Sequence, residues 1–250
     1  MRIFKADLHI HSCLSPCSEL DMTPVKIVSR AAKLGLDIIA IADHNSAEHV
    51  EVARNIASPL GLTVIPAMEI CSSEEVHILA LFECSAPCRE VQEIIYSRIP
   101  AIPSYKHDET SQPVVNERDE ILFFNPYPLI NAVEMPLASL VDIIHGKNGL
   151  VIASHVDRES FSIISQLGFI PDDLDLDALE VSYRVQSYQE AADRLPLHPY
   201  PAVSFSDSHQ VTDIGRRITE FSMERPSLEE IRLSLRGEGG RGFRIVFAHT

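Results

Sequence analysis

Short apolar runs alternate with stretches of helical periodicity along most of the chain. IFKADLHIH (3–11) reads as a strand. TPVKIVSRAAKLG (23–35) follows as a helix, with Thr23 as N-cap, Pro24 at the first helical position and Gly35 as terminator. Its inward face is predicted to carry Ile27, Ala31 and Leu34, with Val28 beside them. DIIAIAD (37–43) is a second strand. SAEHVEVARNIASPLG (46–61) is a second helix, with Val50, Ala53, Ile56 or Ala57, and Leu60 inward. LTVIPAME and VHILALF are strands, followed by a helix near 86–97. Later come helix SLVDIIHGKNG, strand LVIAS, helix RESFSIISQLG, strand DALEVS, helix SYQEAADRL and strand AVSFSD; ITEFSM, helix SLEEIRLSL and FRIVF complete the pattern. This alternation predicts an α/β fold with a parallel sheet built from βαβ units.

Residues 99–136 break the rhythm with proline and polar residues. Within them PVVNERDEILFF looks like a hairpin turning at Asn116–Asp119. The alternation resumes afterwards, so the stretch reads as an insertion over one face of a single domain spanning 1–250.

Composition narrows the function. With 45% hydrophobic and 23% charged residues, the chain is of ordinary globular type. No apolar run approaches the ~20 residues of a membrane span, and the N-terminus meets an acid and histidines too early for a signal peptide, so a cytoplasmic protein without membrane contact is expected. A formal net charge of −15 argues against a broad surface for long nucleic acid, but not against a small anionic substrate. Five cysteines in no CxxC pairing read mainly as reduced thiols. Oligomeric state is not legible.

The informative pattern is where metal-ligand residue types fall. Asp7, His9 and His11 are spaced by two on a strand and should share a face. Asp43 and His44 end DIIAIADH, Glu69 ends LTVIPAME, His155 ends LVIASH, and Asp207 with His209 ends AVSFSDSH. Parallel strands in a barrel gather their C-terminal ends on one rim, which would bring these residues into one bowl. A lone histidine after a strand is more often a hydrogen-bonded loop residue, and that simpler reading is preferred for His49, His107, His145, His198 and His249; His107, in the insertion, could still reach over the site. His77 begins its strand, so periodicity alone leaves it out. Imidazoles mixed with carboxylates suit Zn, Mn or Fe, and no phosphate-binding loop, GxGxxG, GxSxG or HExxH competes.

DLHIHS, IADHN, the Glu of PAME, the His of VHILAL, ASH and SDSH, in this order, resemble the polymerase and histidinol phosphatase (PHP) superfamily of metal-dependent phosphoesterases, over residues 3 to about 210. The resemblance implies a distorted (β/α)7, TIM-like barrel with two or three divalent metal ions at its C-terminal rim. It implies His9, His11, Glu69 and Asp207 as ligands of a first ion, with Glu69 bridging to a second held by His77 and His155, and His44 and His209 on a third. Asp7 and Asp43 would orient the histidines. Cys17 departs from the pattern: it stands where the family commonly has a His or Asp of the third site. Either its thiolate, which would favour zinc or iron, completes that site, or Glu19 or Asp21 does, or the site is weak.

The implied chemistry is in-line attack by a metal-bridging hydroxide on a small phosphate monoester. Arg158, Arg184 and Arg216 are candidates for holding the phosphate, with Arg217 nearby and His107 as a further substrate contact; a solvated loop charge is the plainer alternative for each arginine. Two other functions fit the same site: an exonuclease or phosphodiesterase on short oligonucleotides, and a metal-binding regulatory module with little turnover.

Overall fold

β1 (Arg2–Ile10) is flanked on both sides, and its two neighbours differ in direction. The computed structural model describes residues 1–100 and 112–247, so His107 and His249 lie outside the described residues. After β1 come α1 (Pro24–Lys33), β2 (Ile38–Ile41), α2 (Val50–Ala57), β3 (Thr63–Val64), β4 (Ala67–Cys71), β5 (His77–Leu81) and α3 (Ser85–Tyr96). The hairpin strands β6 (Pro113–Val115) and β7 (Ile121–Phe124) precede α4 (Leu137–Gly146), β8 (Leu150–Ala153), α5 (Ile163–Leu167), β9 (Ala178–Glu180), α6 (Tyr188–Arg194) and β10 (Ala202–Val203). Then follow β11 (Ile218–Met223), α7 (Leu228–Leu235) and β12 (Gly242–Val246).

Two five-stranded sheets form, in the orders β12-β11-β1-β2-β3 and β10-β9-β8-β5-β4, with β6 and β7 paired apart. Alanine, leucine, isoleucine and phenylalanine from both sheets (Leu8, Ala40, Leu79, Ile152, Phe205 among them) fill a shared core. α1 and α2 cover the outer face of the first sheet, and α3 and α4 that of the second. Isolated parallel bridges pair Ile10 with Ser208 and His44 with Glu69, so the sheets also meet at those two places.

The sheets are mixed rather than parallel throughout. β1-β2-β3 and β8-β9-β10 are parallel, as βαβ crossovers require, but β5 is antiparallel to both β4 and β8. The cause is local: only residues 72–76 separate β4 from β5, room for a hairpin turn and not for a crossover helix. LTVIPAME is likewise two strands. Pro66 has no N–H for a ladder, and the chain passes there from β2's side to β5's side.

α1 starts and stops where its caps dictate: the Thr23 side chain accepts from Lys26 N–H, and Gly35 takes φ +68°. Ile27, Val28 and Ala31 are buried, whereas Leu34, at the C-cap, is 38% exposed. α2 begins only at Val50, and Leu60 lies beyond its end and is exposed. The hairpin turns at the expected residues, with Asp119 N–H donating to Asn116 O and Asn116 N–H to Glu120 O.

Candidate metal centre

Glu69, in the middle of β4 and 1% exposed, is ringed by five imidazoles carried on four segments. Its Oε1 lies 3.3 Å from His9 Nε2, 3.2 Å from His77 Nδ1 and 3.4 Å from His155 Nε2; its Oε2 lies 3.4 Å from His11 Nε2 and 3.2 Å from His44 Nδ1. Asp207 Oδ1 is 3.5 Å from His9 Nε2 and 3.4 Å from His11 Nε2, and those two nitrogens are 3.2 Å apart. Cys17 Sγ, with ring nitrogens of His11, His44 and His209, forms a further group whose donor atoms all lie within 4.8 Å of one another. The nine residues expected as ligands are thus brought together. Glu19 and Asp21 fall in none of these groups.

These contacts are poor hydrogen bonds and good coordination spheres. His44 Nδ1, His77 Nδ1 and Glu69 Oε1 are all buried without a hydrogen-bond partner, a costly state unless another group takes them up. A tetrahedral ion with bonds of about 2.0–2.1 Å needs donors about 3.4 Å apart; His9 and His11 Nε2 lie 3.2 Å from each other and 3.3 to 3.5 Å from the nearest oxygens of Glu69 and Asp207. The residues present fit divalent cations.

Tautomers are set from behind. His9 Nδ1 is 2.9 Å from Glu180 Oε2, His209 Nδ1 donates to Asp207 O at 3.0 Å, and His11 Nδ1 is 3.0 Å from Ser15 Oγ. Ser15 Oγ in turn donates to Asp43 Oδ1 at 2.6 Å, so it accepts from His11. Each of these rings therefore keeps its Nε2 lone pair for the centre.

Charge follows the same geometry. Burial works against protonating His9 and His11, but Glu180 and Glu69 around the first, and Asp207 and Glu69 around the second, outweigh it; His9 is raised well above the usual range and His11 to about 9. Burial tends to raise both acids, yet the imidazoles around them, His77 and His9 beside Glu69 and His9 and His11 beside Asp207, hold both well below it. His44 is pushed down by burial, as is His209, to about 4. The Cys17 residue is exposed, while its thiol, facing the site, is pushed up to about 12 by desolvation and then by Glu69 and Asp207.

Several expected roles are corrected. Asp7 does not orient a histidine. The β1–β2 register slips between Asp7 and Ile10, and the Asp7 carboxylate instead accepts from Ser206 N–H (3.0 Å) and Gly215 N–H (2.9 Å), pinning the segment after β10; burial raises it to about 6. Arg216 is fully committed: its Nε donates to Ser206 O, Nη1 to Asp213 and Nη2 to Asp207 O, with the guanidinium 3.4 Å from the Tyr183 ring centroid. Arg217 donates to the carbonyls of Tyr183 and Val185. Arg184 is exposed, its guanidinium 5.9 Å from the Tyr183 ring. Arg158 pairs with Asp207 at the centre, with its Nε unpartnered.

Asp43 acts one step behind the ligands, through Ser15 to His11 and by accepting from Ser12 N–H at 2.7 Å. His49 is a buried loop residue, as the simpler reading holds: its Nε2 accepts from Val115 N–H of β6, and its Nδ1 meets Ser12 Oγ at 2.7 Å. Sequence reasoning missed Glu180, which also accepts from His155 N–H at 3.2 Å. His155 and Asp207 sit at φ +32° and +46°, so two of the residues of the centre have strained backbone.

Comparison with known proteins places this arrangement. The family profile described as PHP domain matches residues 7–150. A 5'-3' exoribonuclease of Haemophilus influenzae is 31% identical over 80 residues, 31% of this chain and 28% of that protein. Among solved structures, a lesion-specific endonuclease from Pyrococcus furiosus superposes with TM-score 0.71 at 20% identity, over 97% of this chain and 58% of that one. An amidohydrolase from Chromobacterium violaceum with bound sulfate superposes with TM-score 0.59 at 20% identity, over 97% of both chains. The chain therefore spans little more than half the length of the endonuclease, and the structural likenesses are ones of fold. No helix among the described residues is long and apolar enough to cross a membrane.

Proposed function

The chain belongs to the PHP domain family, and from that premise we propose that it is a metal-dependent phosphoesterase acting on small phosphate monoesters. The observation that carries the reading is the convergence of five imidazoles on the one carboxylate of Glu69. In this reading β1, β2, β4, β5, β8, β9 and β10 are the seven strands of a distorted barrel, a view supported by the two bridges that join the sheets.

His9, His11, Glu69 and Asp207 would hold one cation, Glu69, His77 and His155 a second, and His44, His209 and Cys17 a third. An imidazole-rich set with carboxylates suits Zn, Mn or Fe, and the Cys17 sulfur favours zinc or iron in the third position. Bound divalent cations supply Lewis acidity, lowering the pKa of the attacking water and neutralising phosphoryl oxygens. The protein does the rest. Glu180, Ser15 and the Asp207 carbonyl keep the ligand lone pairs aimed inward. Arg158 is the arginine at the centre with donors to spare, and its planar fork suits a phosphate.

A second reading, hydrolysis of phosphodiesters in nucleic acid, is favoured by the names of two relatives, an exoribonuclease and an endonuclease. The net charge of −15 weighs against a long strand here. Elemental analysis of the purified protein, with assays on p-nitrophenyl phosphate, nucleoside monophosphates and a short labelled oligonucleotide, separates the readings. Metal-dependent monoester turnover is expected; diester cleavage without monoester turnover would favour the nuclease. A metal-loaded protein turning over neither would leave the regulatory module.

A further inference from the structure

The segment from residue 155 to 161 is anchored to the centre at three points. It begins at His155, whose Nε2 lies 3.4 Å from Glu69. Arg158 pairs with Asp207. At its far end, Phe161 lays its ring on the imidazole of His77, with centroids 4.7 Å apart and planes within 23° of parallel. The Phe161 carbonyl also accepts the His77 N–H at 2.9 Å. The loop thus follows the rim from the Asp207 side of the centre to the His77 side.

Phe161 is an odd residue for that place. Its φ is +57°, in the left-handed region that bulky side chains avoid. The backbone bond to His77 needs no side chain, and a glycine would make it without strain. The ring is nevertheless there and 40% exposed, whereas His77 beneath it is 6% exposed and Glu69, His9 and His11 are more deeply buried. One face of the ring is taken by His77, and the ring keeps open surface beside that member of the centre.

We infer that Phe161 is a stacking platform for the leaving group, and that the preferred substrates are phosphate monoesters whose alcohol carries a flat aromatic ring, above all nucleoside monophosphates, rather than simple sugar or polyol phosphates. The inference rests on the phosphoesterase reading above. A phosphate gripped by Arg158 beside His155 places its ester substituent within reach of the far end of the same loop. Stacking on an aromatic side chain is tolerant of base identity, because every base has a π-face. The alternative role for the ring is to shield His77 from water, and leucine would shield nearly as well without stacking.

The test compares wild type with Phe161→Leu and Phe161→Tyr, each reconstituted with the same metal. The readout is the ratio of kcat/KM for adenosine 5′-monophosphate to that for glycerol phosphate. The leucine variant should lower this ratio about tenfold or more, chiefly through KM, and tyrosine should restore it. An unchanged ratio in the leucine variant, or an equal loss on both substrates, overturns the platform. If wild type hydrolyses no monoester, the monoester reading is what fails. Calorimetric binding of adenosine 5′-monophosphate then still decides: weaker binding by the leucine variant supports the platform, and the same Kd in both proteins overturns it.

Discussion

Glu180 Oε2 lies 2.9 Å from His9 Nδ1, and both side chains are buried to 1% exposure or less. The carboxylate fixes the proton on Nδ1, turns Nε2 towards Glu69 and Asp207, and raises the basicity of the ring. Glu180→Gln keeps the shape and an acceptor but removes the charge. Metal affinity, measured against chelator buffers, should fall by about tenfold or more. Equal affinity would show that Glu180 does not tune His9.

Cys17 should account for one ion. In Cys17→Ala the metal stoichiometry by elemental analysis should fall by one relative to wild type, because His44 and His209 lose their sulfur partner. The thermal midpoint of the metal-free protein should barely move, since Cys17 is exposed. An unchanged ion count would remove the thiol from the set.

Arg158→Lys preserves charge while removing the fork. Inhibition by inorganic phosphate should weaken and kcat/KM fall by about tenfold to a hundredfold. A full-strength lysine variant would show that only charge matters there.

Away from the centre, His145 Nε2 sits 2.8 Å from Asp177 Oδ2, and this hydrogen bond raises the imidazole above its ordinary 6.5. A raised folded-state pKa stabilises the fold fully below the unfolded value and loses that contribution as pH rises through the folded value. The thermal midpoint of the metal-free protein should therefore decline over that interval above 6.5, and His145→Gln should decline less. Parallel profiles for the two proteins would count against the pair.

Much of the centre was legible because its ligands terminate apolar runs, a pattern that survives any uncertainty about helix boundaries. His77 was invisible to that rule because β5 runs against β4 and β8, so its first residue, not its last, reaches the rim. The short 72–76 connection was the available clue. Glu180 was missed although ALE ends a strand just as the run before Glu69 does; reading on through DALEVS hid the boundary. Asp7 was misassigned because strict alternation ignores a register slip, and Arg216 because proximity in sequence says nothing of which carbonyls a guanidinium meets first. Leu34 and Leu60 followed helical periodicity past the point where the helices end. Splitting LTVIPAME needed the weight of Pro66, which was present in the sequence and left unused.

The division of Glu69 has a further implication. One oxygen faces His9, His77 and His155 and the other faces His11 and His44, so this one carboxylate would be an arm shared between the station of His9 with His11 and that of His77 with His155. Whatever charge arrives first at one station fixes the tilt seen by the next arrival. Loading and stripping of neighbouring stations should consequently be interdependent events rather than separate equilibria, and a partly filled centre would have a conformation of its own.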